Sequence, residues 1–331
     1  MTSPTVSYIS KTLLSILFAV CLICAPLQLC AQNYTEEEYK TFQDIQAENS
    51  AVKKTDMILK FLKEKPKNDL RPYLIQEFQK TLATLSNEKQ WSEIISLGHK
   101  FLAFDPSDDF TINYMTAAYA QTKNYKEFAA FGEKAYAIKP NPDLALEISK
   151  AYQKIGNNAK YLQWREKVLS SDPNNVGVLV DMAKRHLASG NLSQAVKYAK
   201  MCLDALPNAK KPEEMSDLKW KESVDQSYAV AYAVIGANSY QNGSYAAAIK
   251  NLDQAVKHYK RIDTAYYFLG MSYWRQNNTN AAMLNFAKAY LIGESTAASA
   301  KKNLDEIWKA SDRGSLTGLD RVIARARQDL D

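Results

Sequence analysis

The sequence is poor in the residues that punctuate β-structure. Its 331 residues include only 11 glycines and 10 prolines, and runs of Val, Ile and Thr are scarce. Sheets need frequent turns with β-branched residues between them, so composition points away from an all-β fold. Cysteine is equally rare. Three of the four (Cys21, Cys24, Cys30) lie near the start, which leaves Cys202 with no disulfide partner in the remainder. Such a chain is held together by packing, and Cys202 is expected as a small buried residue facing a neighbouring helix. The three histidines (His99, His186, His258) are scattered. They show no metal-ligand spacing, and no Ser, Cys or carboxylate stands near them at the spacings of nucleophilic catalysis. No phosphate-cradling glycine loop occurs, and no Lys/Arg block is dense enough to argue for nucleic acid. The acidic pairs Glu213-Glu214 and Asp108-Asp109 read as helix starts. The expectation is therefore a protein with no enzymatic activity, cofactor, metal or nucleic-acid partner.

What the sequence has in quantity is helix-forming material. Ala, Lys, Leu, Glu, Gln and Asn dominate, and most of these favour helices. A hydrophobic fraction of 46% is enough to bury a core. Acidic and basic residues alternate within a formal net charge of +6, the pattern of solvated helix faces.

Residues 1–31 read as an export signal. A lone Lys11 precedes the apolar stretch Thr12 to Ala25, Pro26 breaks it, and Leu29-Cys30-Ala31 offers a small residue for a cut after Ala31. Periplasmic or secreted localisation follows, with a bacterial periplasm favoured by the lack of disulfides. An alternative is an uncleaved anchor, because Thr12 to Ala31 is about long enough to span a bilayer, and only then would the chain meet a membrane. A lipid anchor on Cys30 is disfavoured by the large Gln28 and Leu29 before it. In a eukaryotic host Asn33, Asn191, Asn242 and Asn277 would be glycosylation candidates.

A repeat organises the rest. Pro106, Pro140, Pro173 and Pro207 recur at intervals of 34, 33 and 34 residues. A proline at fixed spacing after an apolar periodic run stops one helix and begins a turn. The side chains repeat too. From Asp263 to Glu294 the order is Tyr266, Leu269-Gly270, Tyr273, Ala282, Phe286, Ala289. From Ala229 to Ile262 it is Tyr232, Ile235-Gly236, Gly243, Tyr245, Ala248, Leu252, Ala255. Val176 to Ala209 keeps Ala183, Gly190, Ala195, Ala199, Cys202 and Pro207. Pro142 to Asn175 keeps Tyr152, Gly156 and Pro173, and Asp109 to Asn141 keeps Tyr119, Tyr125, Ala135 and Pro140. Ile75 to Asp108 keeps little beyond Trp91 and Pro106.

These residues resemble the tetratricopeptide repeat, a helix pair of about 34 residues. The resemblance covers roughly residues 70–294 and is most specific in the last two units. It implies an all-α, right-handed solenoid of antiparallel helix pairs. Small residues on the first helix (Gly236, Gly270, Ala183) admit the second, while Ala248, Ala282 and Ala195 receive the partner's aromatic ring. Ala255, Ala289 and Cys202 admit the next unit. The expected organisation is a helix pair over 32–69, four units over 70–207, an insertion or helix extension over 208–226, two well-matched units over 227–294, and capping helices over 295–331. Within 208–226, Pro212 is positioned to open a helix with Trp220 at its centre. Near the end, Ala297, Ala300, Leu304 and Ile307 share a face. Asp312-Arg313-Gly314 reads as a turn, and Thr317-x-x-Asp320 resembles a capping box before Leu319, Val322, Ile323 and Ala326.

The resemblance also implies a binding surface. First helices of successive units line a concave groove that holds a peptide or partner helix. The register places Tyr240, Tyr267, Met271, Trp274 and Arg275 toward it in the C-terminal half, and Lys150, Lys154 and Lys184 in the middle. Aromatic, Met and Arg residues dominate interface energetics, so an apolar or aromatic segment with acidic neighbours is the expected protein ligand. A rival reading is a glycan-binding protein that uses the same aromatics. A clamp for an extreme C-terminal carboxylate is not expected, since Asn113, Ala233 and Tyr267 stand where that family subset carries lysine or other clamp residues.

Overall fold

The computed structural model describes residues 33–311 and 317–331. The segment read as an export signal and the turn expected at 312–314 lie outside them. The described residues are helical throughout, without a strand. The chain divides into two compact units at Lys89. The division falls inside the repeat expected at Ile75 to Asp108.

The first unit holds α1 (Glu36–Ala47), α2 (Ala51–Glu64) and α3 (Arg71–Asn87). Thr35 opens α1 with a capping box: its hydroxyl accepts from Glu38 N at 3.2 Å, and its own N–H donates to Glu38 Oε2 at 2.8 Å. Ile45, Ile58, Leu62, Leu74 and Phe78 form the interior of the unit.

The second unit contains thirteen α-helices among its described residues: α4 (Trp91–Leu102), α5 (Asp109–Thr122), α6 (Tyr125–Ile138), α7 (Pro142–Lys154), α8 (Asn158–Ser171), α9 (Val176–Ala188), α10 (Leu192–Ala205), α11 (Asp217–Gln241), α12 (Tyr245–His258), α13 (Asp263–Arg275), α14 (Thr279–Ile292), α15 (Ala297–Ser311) and α16 (Leu319–Leu330). Consecutive helices pack as antiparallel pairs joined by short turns. The prolines act as their spacing requires. Pro106, Pro140 and Pro173 follow the ends of α4, α6 and α8, and Pro207 sits in a short 3₁₀ turn after α10. Capping side chains share the period. Asp108, Asn141 and Asn175 accept backbone N–H groups at the starts of α5, α7 and α9.

Two sequence expectations are corrected. Pro212 does not open a helix. Ser216 caps α11, accepting from Lys219 N, and the helix then runs 25 residues without a break. Half-buried Trp220 therefore belongs to a lengthened first helix, with exposed loop before it. Nor does Thr317 cap the last helix. Gly318 holds the cap position at φ 89°, a left-handed conformation that glycine adopts without strain, and it makes no side-chain cap bond. The apolar faces of α15 and α16 otherwise match expectation, with Ala300, Leu304, Ile307, Leu319 and Ala326 buried.

Packing between helices depends on exchanging bulk for space. On α12 and α14 the buried order is small then large, Ala248 before Leu252 and Ala282 before Phe286. Glycine on the paired first helix makes room: a methyl on Gly236 would lie 2.5 Å from Leu252 Cγ. On α4 and α6 the order is reversed, with Ile94 before Gly98 and Phe128 before Gly132. These glycines receive the next helix instead. A methyl on Gly132 would lie 2.7 Å from Ile148 Cγ1 of α7, and Gly98 faces Met115 of α5 in the same way. α8 breaks both patterns by placing Arg165 after Tyr161. Arg165 Nε donates to the Tyr161 hydroxyl at 3.0 Å, that hydroxyl donates to Asp181, and Arg185 Nε donates to Asp181 at 3.2 Å. The α8–α9 seam is thus closed by a satisfied polar network, with the Arg185 guanidinium 4.0 Å from the Tyr161 ring centre.

Cys202 is fully buried on α10, where the repeat asks for a small residue. Burial pushes its thiol pKa up to about 12. A thiol-specific disulfide reagent at pH 8 is therefore expected to label native protein negligibly and to react fully once denaturant unfolds α10. Fast labelling under native conditions would contradict this burial.

Candidate functional site

Tyr267, Met271 and Trp274 stand at helical spacing on α13, so one face of that helix presents all three. Their surroundings differ. Tyr267 is half-buried, its ring centre 5.4 Å from Phe268 and 5.8 Å from Phe286. Met271 is half-buried and accepts from Asn303 Nδ2 of α15 at 3.3 Å. Trp274 is 41% exposed, one of few large apolar side chains so open. Beside it Arg275 reaches back to α11. The Tyr240 hydroxyl and, to a lesser extent, Tyr245 hold the arginine pKa above its usual value. Tyr240 itself packs 5.6 Å from both Tyr245 and Phe268.

The structure therefore gathers Tyr240, Tyr267, Met271 and Arg275 into one contact network, with Trp274 at its open edge. Phe268, Tyr245 and Asn303 complete the network and were missed in the sequence. Phe268 lies one residue off the expected face, and Asn303 comes from a helix with no repeat signature. Tyr240, Tyr267 and Met271 partly serve the core, and of the five predicted C-terminal groove residues Trp274 and Arg275 are the exposed ones.

The lysines are not gathered in this way. Lys150 pairs with Glu147 on its own helix at 2.6 Å, while Lys154 on α7 and Lys184 on α9 are exposed. The histidines are packed against rings. His99 Nε2 lies 2.9 Å from the Tyr119 hydroxyl, and desolvation together with the Lys134 charge lowers its pKa. His186 stacks on Tyr198. His258 stacks between Tyr228 and Tyr232, with Nδ1 3.5 Å from Asp225, a partner 33 residues away that sequence spacing hid. Among the described residues no three His, Cys, Asp or Glu side chains converge as a metal would require, and no helix is long and apolar enough to cross a membrane.

Residues 238–300, which hold all of this network except Asn303, match the tetratricopeptide repeat family. Solved structures with similar tetratricopeptide folds include the C-terminal part of a repeat-containing protein from Cytophaga hutchinsonii, 15% identical, covering 76% of this chain and 93% of its own at a TM-score of 0.42. PilF from Pseudomonas aeruginosa is 14% identical over 68% of this chain and 98% of its own, with a TM-score of 0.38. MamA is 20% identical over 55% of this chain and 93% of its own, also at 0.38. Compared by sequence with curated proteins, the chain matches none. Tetratricopeptide repeats in general serve as protein-interaction scaffolds, since stacked helix pairs present continuous side-chain surfaces.

Proposed function

We propose that this chain is a non-catalytic scaffold of the cell envelope, exported by its N-terminal signal, that grips a peptide or partner helix at the α11–α13 surface. The observation that carries this reading is Trp274: a tryptophan 41% exposed, next in sequence to the exposed Arg275, whose charge Tyr240 favours. An exposed tryptophan next to an exposed arginine suits an apolar or aromatic anchor followed by a carboxylate. Lys154 and Lys184 add long-range attraction for acidic residues, and Lys150 contributes less because Glu147 shares its charge.

The test is capture from an envelope extract with protein beginning at Gln32, read by mass spectrometry. Trp274→Ala with Arg275→Gln is the informative variant, because Tyr267→Ala would also strip contacts from buried Phe286. A captured protein is expected to bind the variant about thirtyfold more weakly, the loss typical of a buried tryptophan anchor. Equal capture by both would remove the α11–α13 surface from the proposal. Protein purified from its own host is expected to begin at Gln32, and an intact Met1 would replace export with anchoring.

A further inference from the structure

The first unit carries an aromatic surface outside the repeat register. Tyr34, Tyr39, Phe42 and Tyr73 form a row in which each ring neighbours the next. Centre distances are 5.8 Å from Tyr34 to Tyr39, 6.2 Å from Tyr39 to Phe42 and 6.4 Å from Phe42 to Tyr73. The first pair is stacked, with an interplanar angle of 21°. Phe42 roots the row in the core, whereas Tyr39 is 42% and Tyr73 57% exposed. Core packing does not account for two tyrosines so open on either side of Phe42. An exposed run of π-faces is a recognition surface for planar or cationic groups.

Charge decides between possible occupants. α1 carries Glu36, Glu37 and Glu38 in its first turn and Asp44 further on, against the single Lys40. Glu38 is engaged by Lys65 at 2.8 Å and by Asn68, while Glu36 and Glu37 are exposed. Glu36 is three residues before Tyr39 and so shares its helix face. Asp69 accepts the Asn33 N–H at 2.8 Å, next to Tyr34. At the other end Glu77 lies one turn beyond Tyr73 and is shared with Lys80. Glu77 is mostly covered, its side chain 12% exposed, so the open carboxylates lie at the Tyr34–Tyr39 end of the row. Guanidinium groups stack on aromatic faces and pair with carboxylates in the same plane.

We propose that this row is a second docking surface, for an arginine-bearing basic segment of a partner protein. Guanidinium groups stack on Tyr39 and Tyr73, and the exposed Glu36 and Asp69 receive their N–H donors. The surface lies wholly within the first unit, so its behaviour is separable from that of Trp274.

The experiment titrates the full chain with a fluorescent arginine-rich octapeptide and follows anisotropy. A peptide with glutamine in place of arginine tests charge, and chitohexaose tests a sugar occupant. Tyr39→Ala with Tyr73→Ala is expected to weaken the arginine peptide about tenfold. Glu36→Gln with Glu37→Gln, both exposed in the first turn of α1, is expected to weaken it about threefold and to flatten its salt dependence. Trp274→Ala is expected to change nothing. Equal binding of the glutamine peptide, preference for chitohexaose, or indifference to both double variants would each overturn the proposal.

Discussion

Phe286→Ala is expected to destabilise the C-terminal repeats by about 3–5 kcal/mol, the range for emptying a fully buried aromatic site. Phe286 is completely buried, and its ring occupies the space that Gly270 leaves on α13. Gly270→Ala alone is expected to cost about 1–3 kcal/mol through overpacking, because the new methyl would lie 2.7 Å from Phe286 Cδ1. Combined, the changes should cost less than their sum. Once the ring is gone, the methyl on residue 270 enters empty space and recovers part of the contact. Urea denaturation of the four forms, followed by circular dichroism, gives the coupling directly. Simple additivity would mean that the two helices adjust independently and that their close approach does not depend on this glycine.

Asp263→Ala is expected to cost about 3 kcal/mol and to release α15 from the repeat stack. Asp263 is only 2% exposed, yet no cation is paired with it. Its charge is balanced by five donors: Thr264 N at 2.6 Å, Thr264 Oγ1 at 3.1 Å, Ser295 Oγ at 3.2 Å, Thr296 N at 2.6 Å and Thr296 Oγ1 at 2.9 Å. The carboxylate thereby ties the start of α13 to the start of α15. Its removal leaves part-buried donors of Thr264 and Thr296 without an acceptor, which costs more than the bonds themselves contribute. Asparagine, with one acceptor oxygen, should recover part of the loss. Hydrogen exchange is the discriminating measurement: amides of α15 should lose protection while those of α7 keep theirs. Uniform loss across the chain would show that Asp263 stabilises the whole array rather than one junction.

Met271 and Asn303 show how that junction bears on the candidate site. The thioether of Met271 is met by α15, so releasing α15 would also open one side of the α11–α13 network. The binding proposed at Trp274 and stability at Asp263 are therefore expected to be linked through α15.

The C-terminal repeats were legible because each position carries the residue its packing task demands. Gly236 and Gly270 are small where the second helix crosses, and Leu252 and Phe286 are large where they fill the crossing. The earlier repeats were harder to read for a physical reason. α4 and α6 fill the same space with bulk placed one turn earlier, Ile94 and Phe128, and with glycine where the later repeats are large. Volume is preserved while the order of residue types is inverted, so the packing survives and the motif does not. Arg165 is a further step away, since its fit depends on Asp181 and Arg185 on the following helix.

Local information alone determined the helices, their 34-residue period, the prolines that end them and the burial of Cys202. These follow from propensity, hydrophobic spacing and capping, which act over a few residues. Tertiary structure alone decided which predicted contact residues stay free. Tyr240, Tyr267 and Met271 are partly absorbed by Phe268, Phe286 and Asn303, whereas Trp274 stays open. It alone assembled the tyrosine row of the first unit, because Phe42 and Tyr73 meet across two helices. Exposure is a property of what packs against a residue, and those neighbours come from distant parts of the chain.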